Sequence, residues 1–382
     1  MAGESLFESV PNFSEGRDRS AIDSIVHAAR GAHLLDVDAD EDHNRTVVSI
    51  AGFGPQLVEA LMASVRAAVE LIDVRSHRGV HPRVGAADVV PIVPLDSTPL
   101  SRCHELAVAL GERIWSELKV PVYFYGRGQS LADIRGGRGR FDLGGPDLHP
   151  TAGAVCLGAR PKLVAFNVIL DGIDVTAARA LARSIRESGG GMRGVHALVF
   201  ELSGGRVQLS MNLFRLGETT PAMVIAELEH RGVSIASQHV VGLCPAVVAN
   251  AAAGGRLLEP RLAAAAARAG AARCFERGDN EHVALARRLR REAEGLAALS
   301  TDQVALLAGA ERAAALIPVL RVAGVLDGEL EAMLGVAASG LREAVTSETR
   351  STYAARAAAL DRRLGLPTGG PLAGGWAATT AA

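Results

Sequence analysis

Apolar and polar positions along the first two-thirds of the chain fall into segments that switch between a period of two and a period near 3.6. Residues 6–10 read as a short strand. Asp18 or Ser20 then caps a helix to about residue 30, with Ile22, Ile25, Val26 and Ala29 on one face. Residues 32–37 and 45–51 read as strands, the second rich in β-branched side chains. Pro55 suits the first turn of a helix running to about residue 72. A buried strand at 88–94, a helix to about 118 and a strand at 120–125 follow. Residues 126–154 hold Gly, Arg and Asp with little apolar periodicity. They read as a long loop with a short helix near 131–134. The pattern then repeats, with strands at 154–157 and 163–170 and a helix at 174–186. A hairpin of 196–202 and 206–213 turns at Ser203-Gly204-Gly205, and a helix at 220–230 and a strand at 233–243 complete it.

The order βαββαβ thus recurs, and it predicts an α+β fold of two ferredoxin-like subdomains, 1–125 and 154–250, joined by a loop at 126–153. From about residue 245 strand-like segments vanish and Ala, Leu, Arg and Glu dominate. Helices near 260–275, 280–298, 301–317, 328–345 and 350–364 predict a small helical bundle over 251–366. Residues 367–382, mostly Gly, Ala and Thr, read as a disordered tail.

Composition narrows the function classes. Hydrophobic residues make up 48% of the chain but aromatics only 4%, so the core relies on small and aliphatic side chains. Forty basic against 42 acidic residues leave no global pull towards nucleic acid or an anionic membrane. Cys103, Cys156, Cys244 and Cys274 form no CxxC pair and fit reduced thiols in a cytoplasm. The amino terminus lacks the basic-then-apolar pattern of a signal peptide, and no apolar run of about 18 residues suggests a membrane span. A cytoplasmic protein without nucleic-acid or membrane partners is expected.

The densest chemistry lies between Asp73 and Asp88. Two imidazoles (His77, His81), three guanidiniums (Arg75, Arg78, Arg83) and the two terminal carboxylates crowd between apolar runs. His81 is the candidate for proton transfer, because imidazole titrates near neutral pH without a large shift. Pro82 behind it favours an extended backbone. The four-residue spacing of His77 and His81 resembles a helical zinc pair, but Gly79 and Pro82 oppose a helix there, and no metal is expected. A satisfied turn histidine is the bland reading of His81. Asp36, Asp38, Asp40 and Asp42 lack the Gly and terminal Glu of a calcium loop. No GxSxG segment supports a serine elbow, and the 126–140 stretch lacks the aromatics that stack on bases.

Several segments in collinear order resemble one family. They are Val10-Pro-Asn-Phe-Ser-Glu-Gly16, Leu34-Leu-Asp-Val-Asp38, His43-Asn-Arg-Thr-Val47, the histidine loop, Val120-Pro-Val-Tyr123, Gly158-Ala-Arg160 with Ala165-Phe-Asn167, Ser210-Met-Asn212 and Val241-Gly-Leu243. Over roughly residues 5–250 the chain resembles glutamate formimidoyltransferase, the amino-terminal half of formiminotransferase–cyclodeaminase. The resemblance implies two subdomains facing across a groove, a homodimer, and transfer of a formimino group from N-formimino-L-glutamate to N5 of tetrahydrofolate. It implies His81 as the catalytic histidine. It places folate on Gly158, Ala159, Arg160, Pro161, Lys162, Leu163, Val164, Ala165, Phe166 and Asn167, and an acid at Asp38. The region after Tyr125 is shorter and Gly/Arg-rich compared with the family. The carboxy-terminal part lacks the Pro-Gly-Gly-Gly-Ser segment of cyclodeaminases, so that second activity is not expected.

Such a transfer is acyl transfer with nitrogen in place of oxygen. An imidazole with a pKa near the working pH suits removal of the proton from the attacking amine. Arg83 or Arg78 is a candidate for a substrate carboxylate, with Arg45 and Arg160 as further candidates. Asp38 either orients the histidine or holds the cationic amidine. Phe166 is expected to pack on the pterin and Asn167 to bond its edge. Two other readings keep the scaffold: formyl transfer from N-formylglutamate, and a non-catalytic folate-binding protein.

Overall fold

The computed structural model describes residues 5–95, 98–245, 248–253, 256–258, 261–262 and 265. The chain divides into two compact units, and the first, residues 1–244 and 248–256, holds both sheets. The helices expected from residue 260 onward and the tail at 367–382 lie almost entirely outside the described residues.

The first sheet is built from β1 (Leu6–Ser9), β2 (Asn12–Phe13), β3 (His33–Asp40), β4 (Arg45–Phe53), β5 (Ala87–Pro94), β6 (Val122–Tyr125) and β7 (Val155–Ala159). Its helices are α1 (Arg19–Ala28), α2 (Gly54–Leu71), α3 (Leu100–Arg113) and the short α4 (Leu131–Arg135). β3 pairs with β4, and β1 and β2 lie in succession between β4 and β5, all antiparallel. Pro11 separates β1 from β2, since proline has no N–H for the ladder, but its carbonyl still accepts from Val48. Asp18 caps α1 by accepting from the Ser20 and Ala21 amides. Val48, Ile50, Val90 and Ile92 of the sheet bury against Leu57, Leu61 and Val65 of α2, which gives this half its core.

β7 departs from the expected boundary. The sequence pattern sets the strand at 154–157 at the head of the second subdomain, but Val155–Ala159 joins the first sheet, between β5 and β6 and parallel to both. Every residue of β7 is buried, as suits an interior parallel strand, and an apolar run does not encode which sheet receives it. A parallel partner needs a crossover connection. Residues 126–154 supply it, so that segment is packed against the first sheet. Its α4 opens with a capping box of Ser130 and Asp133, and Leu143 bridges to Val122.

The second sheet contains β8 (Val164–Asp171), β9 (Val195–Glu201), β10 (Val207–Leu213) and β11 (Ser234–Val241), with α5 (Val175–Ile185) and α6 (Pro221–His230). Its order is β11-β8-β10-β9, antiparallel throughout. Gly204 and Gly205 take positive φ in the β9–β10 turn, as that hairpin requires. Side chains alternate across strands, so the Phe166–Met211 and Val168–Leu209 pairs share one face and the Asn167–Ser210 and Ile169–Gln208 pairs the other. The second, polar face meets the first sheet. Gln208 Nε2 lies 3.2 Å from His43 Nε2, Arg206 donates to Asp42 at 2.7 Å, and the Gly242 amide donates to Asp38 at 3.0 Å. Two sheets flanked by helices establish the α+β class.

Candidate active site

The histidine loop runs from the end of α2 to β5, and backbone bonds to neighbours hold it. Val74 donates to Thr151, Val80 to Asp42 and Ala86 to Ala152, while Asn44 Nδ2 donates to the Arg78 carbonyl. A Cβ at Gly79 would lie 2.2 Å from the His43 carbonyl oxygen, so only glycine lets the loop pass this close to the β3–β4 turn.

His81 Nδ1 is 2.7 Å from the Pro82 carbonyl oxygen and 3.0 Å from Arg45 Nη1. A carbonyl only accepts, so the shorter contact places the proton on Nδ1 and leaves the lone pair on Nε2. The ring sits 6.0 Å from the His43 ring and 5.3 Å from Phe200, which β9 contributes. Burial, then the charges of Arg45 and Arg135, hold its pKa down at about 3, with Asp88 opposing them. This corrects the expectation of an imidazole titrating near neutral pH. The ring is neutral at working pH, but its company makes it a weak base.

Asp88 organises that company. It is fully buried, its Oδ2 accepts from Arg45 Nη1 at 2.7 Å and from Arg135 Nη2 at 2.9 Å, and its Oδ1 accepts from the Val84 amide at 2.6 Å. Burial alone would raise its pKa, but the two guanidiniums and the Val84 amide outweigh that and keep the carboxylate ionised. Arg45 also donates Nε to Asn12 at 2.9 Å, so Asn12 and Asp88 both hold it while its Nη1 lies beside the His81 ring. His43 donates Nδ1 to Asp40 at 3.0 Å, which leaves Nε2 to accept from Gln208.

The other candidates scatter. Arg83 folds back, donating Nη2 to the His81 carbonyl at 3.2 Å, and makes no ion pair among the described residues. Arg78 Nη1 donates to the Arg75 and His77 carbonyls of its own loop. Asp38 does not reach the His81 ring; it pairs with Arg256 at 2.7 Å and accepts from Gly242, tying β3 to the turn after β11.

Residues 158–167 straddle both sheets. Gly158 and Ala159 end β7, and a Cβ at Gly158 would meet the Tyr125 carbonyl and ring within 2.8 Å. The Arg160 amide donates to Ile92 and its Nη1 to the Pro161 carbonyl, while Lys162 Nζ reaches the Pro94 carbonyl at 3.3 Å. Pro161 is exposed, and Lys162 and Leu163 are half-buried in the connection to β8. Val164 and Phe166 are 0% exposed, which corrects the expectation that Phe166 packs on a pterin: strand parity sends it into the core. Ala165 and Asn167 take the opposite face, where Asn167 Nδ2 is 3.2 Å from His239 Nε2.

Reading the sequence did not select Arg135, Phe200 or Gln208, and it left Asp88 without a role. The Ser130-x-x-Asp133 capping signal marks the helix that carries Arg135 but not what that arginine reaches.

Residues 6–160 match the formiminotransferase domain, N-terminal subdomain. The chain is 37% identical to glutamate formimidoyltransferase of Thermoplasma acidophilum over 268 residues, 63% of this chain and 88% of that protein. It is 36% identical to the enzyme of the same name from Streptococcus pyogenes, over 63% of this chain and 89% of that protein. Formimidoyltransferase-cyclodeaminase of Rattus norvegicus is 40% identical over 207 residues, but the match spans only 38% of that longer protein. A solved microcompartments protein from Desulfitobacterium hafniense aligns at 12% identity with a TM-score of 0.17, too low to bear on the fold. On the strength of these matches, the chain belongs to the glutamate formimidoyltransferase family.

Proposed function

We propose that the protein transfers a formimino group from N-formimino-L-glutamate to N5 of tetrahydrofolate, with His81 as general base. The observation that carries the reading is a neutral imidazole whose Nδ1 is held by the Pro82 carbonyl, beside fixed guanidiniums, in a chain of this family. N5 attacks the amidine carbon, and Nε2 of His81 takes the N5 proton as the new C–N bond forms. The tetrahedral adduct then expels glutamate, and the same proton passes to its leaving amine. Arg83 is the candidate cation for a substrate carboxylate, and Arg160 for folate. A bound carboxylate offsets the positive field that depresses the His81 pKa, so substrate binding itself makes the ring a better base.

The strand orders support a ferredoxin-like reading of each half: β5, β1/β2, β4, β3 in one and β11, β8, β10, β9 in the other. The proposed assembly is a homodimer, which light scattering tests. The decisive assay offers tetrahydrofolate with N-formiminoglutamate and, separately, N-formylglutamate. Turnover of the first donor is expected. Turnover of the formyl donor alone reassigns the donor, and binding without turnover of either leaves a folate-binding protein.

A further inference from the structure

We infer that Arg135 binds a carboxylate of the amino-acid donor and so selects a dicarboxylic donor over a monocarboxylic one. The inference rests on the formimino-transfer reading and deepens it.

Two guanidiniums share one oxygen of Asp88, but they are spent differently. Arg45 is held by Asn12 and Asp88. Arg135 gives only Nη2 to Asp88, at 2.9 Å; its Nε is buried without an acceptor, and its Nη1 has none among the described residues. Asp88 cannot turn to serve that Nε, because Oδ1 already accepts from Val84 at 2.6 Å. An N–H removed from water and left unpaired is destabilising, and a guanidinium presents its donors as a planar fork matched to a carboxylate. The cluster also carries more positive than negative charge beside His81: Arg45 and Arg135 against Asp88. Asp88 is inaccessible, whereas the Arg135 side chain is 18% exposed. One incoming carboxylate would supply both the missing acceptor and the missing charge.

The test uses the full chain and two plain probes, glutarate and butyrate, titrated by calorimetry. The native protein is expected to bind glutarate about tenfold or more tightly than butyrate. R135Q is expected to abolish that preference by weakening glutarate more than butyrate, and R135K to restore part of it. In steady state, R135Q should raise the donor KM about tenfold with the tetrahydrofolate KM unmoved. An R135Q variant that keeps the preference, or weakens both acids equally, overturns the inference, since the arginine would then only prop Asp88. Should R135Q not fold, R135K decides: it keeps the charge facing Asp88 but loses the fork, and an undiminished preference overturns the inference. A diacid preference in a protein that turns over no formimino donor sinks the transferase reading and leaves the carboxylate site standing.

Discussion

Residues 73–88 and residues 158–167 both stand out in the sequence, but the fold uses them differently. The first segment is irregular, is tied down by backbone bonds to the β3–β4 turn and the 149–153 turn, and brings His81 beside Arg45 and Phe200. The second lies mostly in β7 and β8, so alternate side chains disappear into cores, Phe166 among them. A loop held at its flanks can present consecutive polar side chains, whereas a strand surrenders every second residue to the sheet's other face. A contiguous binding segment on a strand is therefore half scaffold.

Phe166→Ala gives the sharpest break. If that ring is core, denaturant unfolding should show a loss of about 3–5 kcal/mol. A stable variant that has lost only folate affinity would return Phe166 to the ligand. His81→Ala is expected to lower kcat about a hundredfold or more with an unchanged melting temperature. Equal turnover would remove the ring from the chemistry and leave the loop merely structural. Arg160→Ala should weaken tetrahydrofolate binding about tenfold by calorimetry. Unchanged affinity would make the whole of 158–167 scaffold.

The smallest expected effect concerns acid. The folded pKa of His81, about 3, lies below its ordinary 6.5, so between those values the unfolded chain binds the extra proton. That contribution to stability is complete above 6.5 and is lost as pH falls towards 3. Between pH 7 and pH 5, His81→Gln should lose about 1 kcal/mol less stability than the native chain, the figure discounted for the ring's partial exposure. Parallel pH curves for the two proteins would show the ring to be open to water and unperturbed.

Much of the architecture was legible because periodicity records which faces are buried. The strands at 45–53, 87–94 and 207–213 and the helices at 54–71 and 175–185 lie within a residue or two of their expected bounds. The sheet that receives β7 is not legible, because an apolar strand fits the middle of any parallel sheet. In the site, His81 and Arg45 were visible from residue type and family pattern. Arg135 was hidden: it sits in a Gly/Arg-rich stretch, 47 residues from the carboxylate it pairs with.

By itself, the sequence determined the succession of strands and helices and singled out His81 as the candidate base, since local patterning and residue type carry both. Only the tertiary structure decided which sheet takes β7, that Phe166 turns inward, and that Asp88 gathers two arginines beside His81. Those outcomes depend on strand parity, crossover direction and charges brought together from distant parts of the chain, which no local pattern records.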